Sequence, residues 1–480
     1  MSSDRHDRRP DPVLEAIVDY VFSDEEPSAL AYDTAWLSLM DSIGVALRTL
    51  NHTACTRLLG PWIPGGAVGR GARVLGTDFE LDPIKAAFDT GALIRWLDYN
   101  DTWLAAEWAH PSDNLGALLA VADYLNRVSD APAGARPVTI QMLLRAMIRA
   151  YEIQGILALT NSLNAVGVDH VVYVRVASAA LATRLLGGSR AQVLSAVSGA
   201  FADGGTLRAY RHFPNTGTRK SWAAADATAR GVQLALMALK GEMAYPEVLT
   251  TPRWGFNAVV MKGSPLALTR PLTSYVMENI LYKVSYPAEF HGQTAAEAAL
   301  ELHPEIQGRL AEIERIDIET QRAAIQIIDK TGPLNNPADR DHCLQFIVAS
   351  ALVRGRLIEE DYEDRHAADP LIDALRSKMR VTENAEFTRH YYDLEKRFIG
   401  NAITIRFRDG SSSRRVAVEV PIGHRLRRDE AKPLLRAKFM QSLNRLPPKQ
   451  AHPIAAAFEK PWQAQSDRSV SELLDHLIPA

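Results

Sequence analysis

Small residues at helical spacing constrain this chain more than any other feature. The stretches ASAALATRLLGG (177–188) and AAADATARG (223–231) put Ala, Ser and Gly where helix backbones can approach closely. No heptad is sustained, so the expectation is a compact bundle of tightly packed helices rather than a coiled coil. Apolar residues recur at helical spacing through the first half. Trp36, Leu39, Ile43 and Leu47 form one stripe, with Asp33 expected as its N-cap. Asp82-Pro83 opens the next helix, with Pro at the first helical position and a stripe of Ile84, Phe88, Ala92 and Trp96. Ser112 is expected to cap a helix carrying Leu115, Leu119 and Leu125. Further helices are expected over 140–158, 171–186 and 221–240, with Ser189 and Gln192 as a capping box for another. Gly187-Gly188 and Gly241 serve as stops.

After about Gly263 the period changes. IERIDIET (313–320) alternates like a strand, and residues 402–420 read as two strands around an Asp-Gly-containing turn. Helices are expected over 340–355 and 370–376, and again after Pro421. The fold class is therefore mostly α: a large all-helical domain with a smaller inserted α+β lid domain. The expected boundaries are 1–275 for the helical domain, 276–424 for the lid, and 425–480 for a helical tail that rejoins the first domain.

Composition narrows the function by exclusion. A formal net charge of -3 gives no nucleic-acid footprint. No apolar run is long enough for a bilayer, and no signal-peptide pattern follows the polar start, so the expected location is the cytoplasm. The two cysteines, Cys55 and Cys343, supply neither a disulfide framework nor the ligands of an ordinary iron–sulfur cluster. There is no CxxC and no HExxH. Chemistry by side chains, with no metal and no cofactor, is the expectation.

Three segments carry polar residues dense enough for such chemistry. In NTGTRKSWAAADATARG (215–231), Arg219 and Lys220 stand where a helix N-terminus already attracts anions, and Arg208, Arg211 and His212 lie just upstream. The plain alternative is a solvated loop. Several cations between apolar helices suggest a pocket for a polyanion, and a tricarboxylate fits. In LDYNDTWLAAEWAHPSDN (97–114), Asp98 and Asp101 are expected on one helix face at i, i+3, with Thr102 and His110 following. These can hold a proton relay, or they are polar caps at a helix end. In LYKVSYPAEFHGQT (281–294), Lys283 and His291 precede a helix. His170 follows Asp169 at a helix start, where capping is the plain reading, and Trp103 and Trp108 read as core or wall.

These strings resemble the MmgE/PrpD family, and within it the branch that dehydrates 2-methylcitrate in propionate catabolism. The likeness is carried by DYNDTWLAAEWAHPSDN, DHVVYVRVAS, YRHFPNTGTRKSWAAADATARG and YPAEFHGQTAAEAA, and it runs over nearly the whole chain. It implies a helical domain with an α+β lid, a homodimer, and action on citrate-like acids without an iron–sulfur cluster. It places the family's active-site aspartate, threonine and histidine on Asp98, Thr102 and His110. The family's lysines fall on Lys220 and Lys283, and its further histidines on His291 and His170. The expected mechanism has Lys220, Lys283, Arg208 and His212 gripping carboxylates. His110 moves the proton, oriented by Asp98 or Asp101, and His170 or His291 protonates the leaving hydroxyl. Arg219 belongs to the same expected substrate-binding set. The alternatives are cis-aconitate decarboxylation within the family and a non-catalytic binding protein of this fold. DYND also loosely echoes the aspartate-rich helices of terpenoid synthases, without their second metal motif.

Overall fold

The computed structural model describes residues 9–66, 68–128, 137–211 and 216–479. It is mostly helical, with a two-stranded and a four-stranded sheet. Small residues do set the helix packing. A Cβ placed on Gly116, in the helix Leu115–Arg127, would meet the Ala87 carbonyl oxygen at 2.5 Å and the Gly91 Cα at 3.1 Å. The helix Pro83–Arg95 therefore packs against Leu115–Arg127 almost backbone to backbone, and the helix Ala223–Leu239 closes on both, with Ala225 against Gly91 and Thr228 against Gly116. Forcing a methyl group into such a contact costs roughly 1–3 kcal/mol.

Two hydrophobic cores organise the chain. The first joins helices from Pro12–Phe22 through Ala223–Leu239 with residues of 276–284, and also takes in the C-terminal helices. The helix Arg428–Leu443 lies on Ala29–Thr49, where Phe439 faces Gly44. The second core runs from Ala288 to Val416. Its helix Gln293–Ile306 packs on the four-stranded sheet and against the helix Leu344–Arg354.

The small sheet pairs β1 (Ala72–Arg73) with β2 (Glu80–Leu81). The large one is ordered β4-β3-β5-β6, from β3 (Ile313–Thr320), β4 (Met379–Glu383), β5 (Asn401–Phe407) and β6 (Val416–Val418). β3 pairs with β4 in parallel and with β5 in antiparallel register, Ile318 opposite Ile403. Ile316, Ile318, Ile403 and Ile405 enter the core.

Most helix ends follow the local signals, and four do not. Asp82 caps Pro83–Arg95 by accepting from the Ile84 and Lys85 amides at 2.9 and 3.1 Å, and Ser189 with Gln192 forms the capping box. Asp33 is not a cap: Ser28 accepts from the Ala31 amide and starts the helix one turn earlier. Ser112 caps nothing, because its hydroxyl and amide both go to Asp101. The helix expected from Ser221 starts at Ala223, after a 3-10 turn at Thr218–Ser221. The expected helix over 340–355 is broken: Pro337–Arg340 ends, and Leu344–Arg354 begins only after Asp341, His342 and Cys343. Among the described residues no helix is long and apolar enough to cross a membrane.

Candidate active site

The site begins where the helix Pro83–Arg95 ends. Beyond it the chain bends at Asp98, which has φ 50°. This left-handed conformation is uncommon outside glycine but is tolerated best by Asp and Asn. The expected helix face shared by Asp98 and Asp101 therefore does not exist, and the two carboxylates have separate surroundings. Asp98 is buried among cations. Arg95 donates to it through Nη1, Lys283 Nζ lies 3.1 Å from Oδ1, and Lys220 Nζ lies 3.8 Å from Oδ2. Lys283 also donates to the Asp98 carbonyl at 2.6 Å. Paired backbone bonds between Thr102 and Leu281, at 2.8 and 3.0 Å, lace the two segments together.

Lys220 and Arg219 part company in the 3-10 turn. Lys220 turns inward and is fully buried, with Nζ 2.7 and 2.8 Å from the two Asp341 oxygens and 3.0 Å from His342 Nδ1. Arg219 turns outward, stacks on Trp222 and pairs with Asp226 at 3.4 Å, away from the cluster. The anion site expected at this helix N-terminus is thus replaced by one buried ammonium facing side chains of the second core. His212 lies outside the described residues.

His110 is oriented by a backbone group. Its Nδ1 donates to the Asp101 carbonyl at 2.7 Å, and the Thr102 hydroxyl sits 3.3 Å away. A carbonyl only accepts, so Nδ1 carries the hydrogen and Nε2 keeps its lone pair. Nε2 faces Asp98 at 4.0 Å. The Asp101 carboxylate points elsewhere, taking the Tyr151 hydroxyl at 2.6 Å and the Ser112 hydroxyl at 2.7 Å. Asp101 thus reaches His110 through its carbonyl, not its side chain.

The ring of His170 lies 5.6 Å from that of His110, centroid to centroid. Its side chain makes no capping bond. Nδ1 is 2.9 Å from Asp169, and Nε2 is buried, 3.6 Å from Asp113 and without a hydrogen-bond partner among the described residues. Asp169 also binds Arg211 and the Tyr210 hydroxyl, and Arg208 lies between it and Glu107. His291 is engaged at both nitrogens, Nδ1 by Glu289 at 2.7 Å and Nε2 by the Tyr391 hydroxyl at 2.9 Å. Trp108 packs its ring against His291 and under Arg208, as a wall residue; Trp103 is core.

The electrostatics separate the two neighbouring histidines. Burial lowers His110 well below the ordinary imidazole value, with Arg95 adding to the effect. Burial would lower His170 as well, but Asp169 and Asp113 outweigh it and raise His170 above the ordinary value. Burial would raise Asp98, yet Arg95, Lys283 and Lys220 hold it well below the usual carboxylate range. Burial also lowers Lys220 and Lys283, against Asp341 and Asp98. Asp101, with no cation beside it among the described residues, is pushed up to about 7 by burial.

Sequence reading missed Arg95, Glu289, Asp341 and His342. His342 Nε2 is 3.9 Å from Asp98 Oδ2, and Glu289 is held down to about 2, burial notwithstanding, by His291 and His342. The only local hint was Asp-His beside Cys343 in a segment taken as helix. Asp98, Asp341 and His342 present ligand atoms within 4.8 Å of one another, a spacing that suits a metal ion. The Lys220 ammonium, within 3.8 Å of all three residues, already serves these donors as a cation.

A two-core helical fold that buries two lysines and an arginine around one aspartate, beside a pair of unlike histidines, has the makings of an acid–base enzyme for anionic substrates. The chain belongs to the MmgE/PrpD family: the MmgE/PrpD N-terminal domain matches residues 15–269 and the C-terminal domain residues 286–462. It is 56% identical to the 2-methylcitrate dehydratase of Cupriavidus necator over 456 residues, 94% of each chain. It is 55% identical to that of Escherichia coli K12 over 450 residues, 93% of each. The mitochondrial 2-methylcitrate dehydratase of Yarrowia lipolytica is 49% identical over 93% of this chain and 87% of its own.

Proposed function

We propose that this protein is a hydro-lyase, a 2-methylcitrate dehydratase that eliminates water to give 2-methyl-cis-aconitate. The observation that carries the mechanism is the placement of two unlike histidines 5.6 Å apart beside buried cations, His110 lowered by burial and His170 raised by Asp169 and Asp113. Environments that push two titratable groups apart divide the labour of base and acid between them. Lys220 and Lys283 bind the substrate carboxylates and stabilise the charge that develops on one of them. A single such interaction typically contributes about a hundred- to a thousandfold. His110 Nε2 takes the proton from the carbon next to that carboxylate. The electron pair forms the double bond, and the bond from the adjacent carbon to its hydroxyl breaks. The leaving oxygen takes the proton of His170 Nε2 and departs as water. His170 suits this step better than His291, both of whose nitrogens are already bonded. Proton exchange with solvent resets both rings.

In this proposal Asp341 and His342 belong to a lid. The Asp341 carboxylate holds Lys220 until a substrate carboxylate takes its place, and the α+β portion then closes over the substrate and excludes water. A homodimer in the cytoplasm, acting without a metal, completes the reading. The test is ultraviolet detection of the conjugated product from 2-methylcitrate by chelator-treated protein. Absence of product, or release of carbon dioxide in its place, would refute the assignment. Restoration of a lost activity by added metal would refute the metal-free part.

A further inference from the structure

Behind the contact between Asp98 and Lys283 lies a further buried lysine that the mechanism leaves unused. Lys438 stands on the helix Arg428–Leu443, where Lys432 and Arg436 are exposed, yet it is only 5% exposed itself. Its Nζ donates to the Tyr99 carbonyl at 2.9 Å and to the Lys283 carbonyl at 2.9 Å. It lies 2.8 Å from Asp41 Oδ1, on the helix Ala29–Thr49, and 3.6 Å from the centroid of the Tyr99 ring. Two of the ammonium's three donors are thus taken by carbonyls, and Asp41 balances its charge at ion-pair distance. One of these carbonyls belongs to the residue after Asp98 and the other to Lys283 itself. A single ammonium thus joins, from behind, the two segments whose side chains meet at 3.1 Å in front. The Tyr99 hydroxyl adds a parallel tie to the Val284 carbonyl at 2.9 Å.

Stability alone does not account for this arrangement. A buried ion pair costs desolvation that well-packed apolar side chains would avoid, and replacing such a pair is often neutral or stabilising. Burial lowers Lys438 to about 8, with Asp41 opposing; Arg48 and Glu359 also face it. We propose that Lys438, held by Asp41, is a positioning residue that sets the spacing of Asp98 and Lys283 through the backbone of Tyr99 and Lys283. The proposal rests on the dehydratase reading above.

Two variants test it. Asp41→Asn/Lys438→Met removes both charges together and leaves no unpaired buried ion. Lys438→Arg keeps a cation for Asp41 but presents planar donors that do not reproduce the ammonium's geometry. With 2-methylcitrate, both should melt cooperatively and lose about ten- to a hundredfold in kcat, the penalty of roughly ångström-scale misplacement. KM should move by less than about threefold, marking an interaction realised in the transition state. The acid limb of kcat, set by His110, should move to higher pH, because a displaced Lys283 lowers His110 less. A purely structural role predicts activity lost only in proportion to folded protein, with the pH profile fixed, and that result would overturn the proposal. So would a wild-type kcat in Lys438→Arg. Failure of the wild type to turn over 2-methylcitrate sinks the dehydratase reading instead, so the two failures are distinguishable.

Discussion

Replacing His110 with asparagine separates its chemistry from its place in the structure. The Asn side-chain amide can occupy the position of imidazole Nδ1, so the bond to the Asp101 carbonyl, 2.7 Å long in the wild type, is retained while Nε2 is removed. No cation of the site is hydrogen-bonded to His110 among the described residues, so carboxylate binding by Lys220 and Lys283 should survive. A general base contributes roughly a hundred- to ten-thousandfold. At about 1.36 kcal/mol per tenfold, this corresponds to about 2.7–5.4 kcal/mol of transition-state stabilisation. The expected result is a kcat lower by at least about a hundredfold, with calorimetric affinity for 2-methylcitrate within about threefold of wild type. Stopped-time assays of the conjugated product give the first quantity and titration calorimetry the second. A kcat within about tenfold of wild type would remove His110 as the base. Lost binding with a normal kcat would assign it to substrate recognition instead.

The pH profile follows from the two histidines. The base must be neutral, so kcat/KM should rise as pH climbs through the depressed His110 value, below about 6.5. The acid must be protonated, so activity should fall as pH passes the raised His170 value. A profile with both limbs on the same side of the ordinary imidazole value would contradict the assignment. Asp341→Asn removes the charge that competes with substrate for Lys220. KM for 2-methylcitrate should fall by about ten- to a hundredfold, in keeping with the roughly 1.5–3 kcal/mol of a charged hydrogen bond; a higher KM would contradict this. The two aspartates should separate cleanly. Asp98→Asn leaves three cations facing one another and should inactivate and destabilise the protein, by about 3–5 kcal/mol if it behaves like other broken buried pairs. Asp101→Asn should keep kcat within a few-fold. Because the folded Asp101 value is raised to about 7, its stabilising contribution is full below the unfolded carboxylate value and is lost as pH rises through about 7. Melts of Asp101→Asn from pH 4 to 8 should lack that decline.

Local signals were legible where the physics is local. Asp82-Pro83 and Ser189 with Gln192 satisfy helix amides within their own turn, so the sequence displays both partners. Gly187 and Gly241 stop helices at positive φ, which needs only the missing side chain. The alternation in IERIDIET is the pleat of β3 itself. Of the misread ends, the start at Ser28 is itself a local cap, whereas the reading of Ser112 failed on a distant partner. Ser112 looks like a cap until Asp101, eleven residues away, claims its hydroxyl and its amide. The same limit governed the site. Asp98, Thr102, His110, His170, Lys220, Lys283 and His291 were all singled out, and the fold gathers them in and around one buried cluster. The sequence did not show that Arg219 and Lys220 point apart, which depends on a single 3-10 turn with residues about 120° apart. Nor did it show that Asp341 and His342, over 120 residues further on, supply the partners of Lys220.

Those late partners bear on how a buried site stays charged. Burial pulls Lys220 and Lys283 toward neutrality, and a neutral amine would have little hold on a carboxylate. Asp98 and Asp341 oppose that pull, but they are held differently. Asp98 is fixed from the first core by Arg95, by Lys283, and by the backbone laced at Thr102 and Leu281. Asp341 follows a short helix on the second core, and its carboxylate meets Lys220 across the boundary between the cores. On the dehydratase reading, Asp98 is therefore the standing counter-charge and Asp341 the exchangeable one. A substrate carboxylate can replace Asp341 without leaving Lys220 unpaired at any stage, so the ammonium need never give up its proton in a dry site.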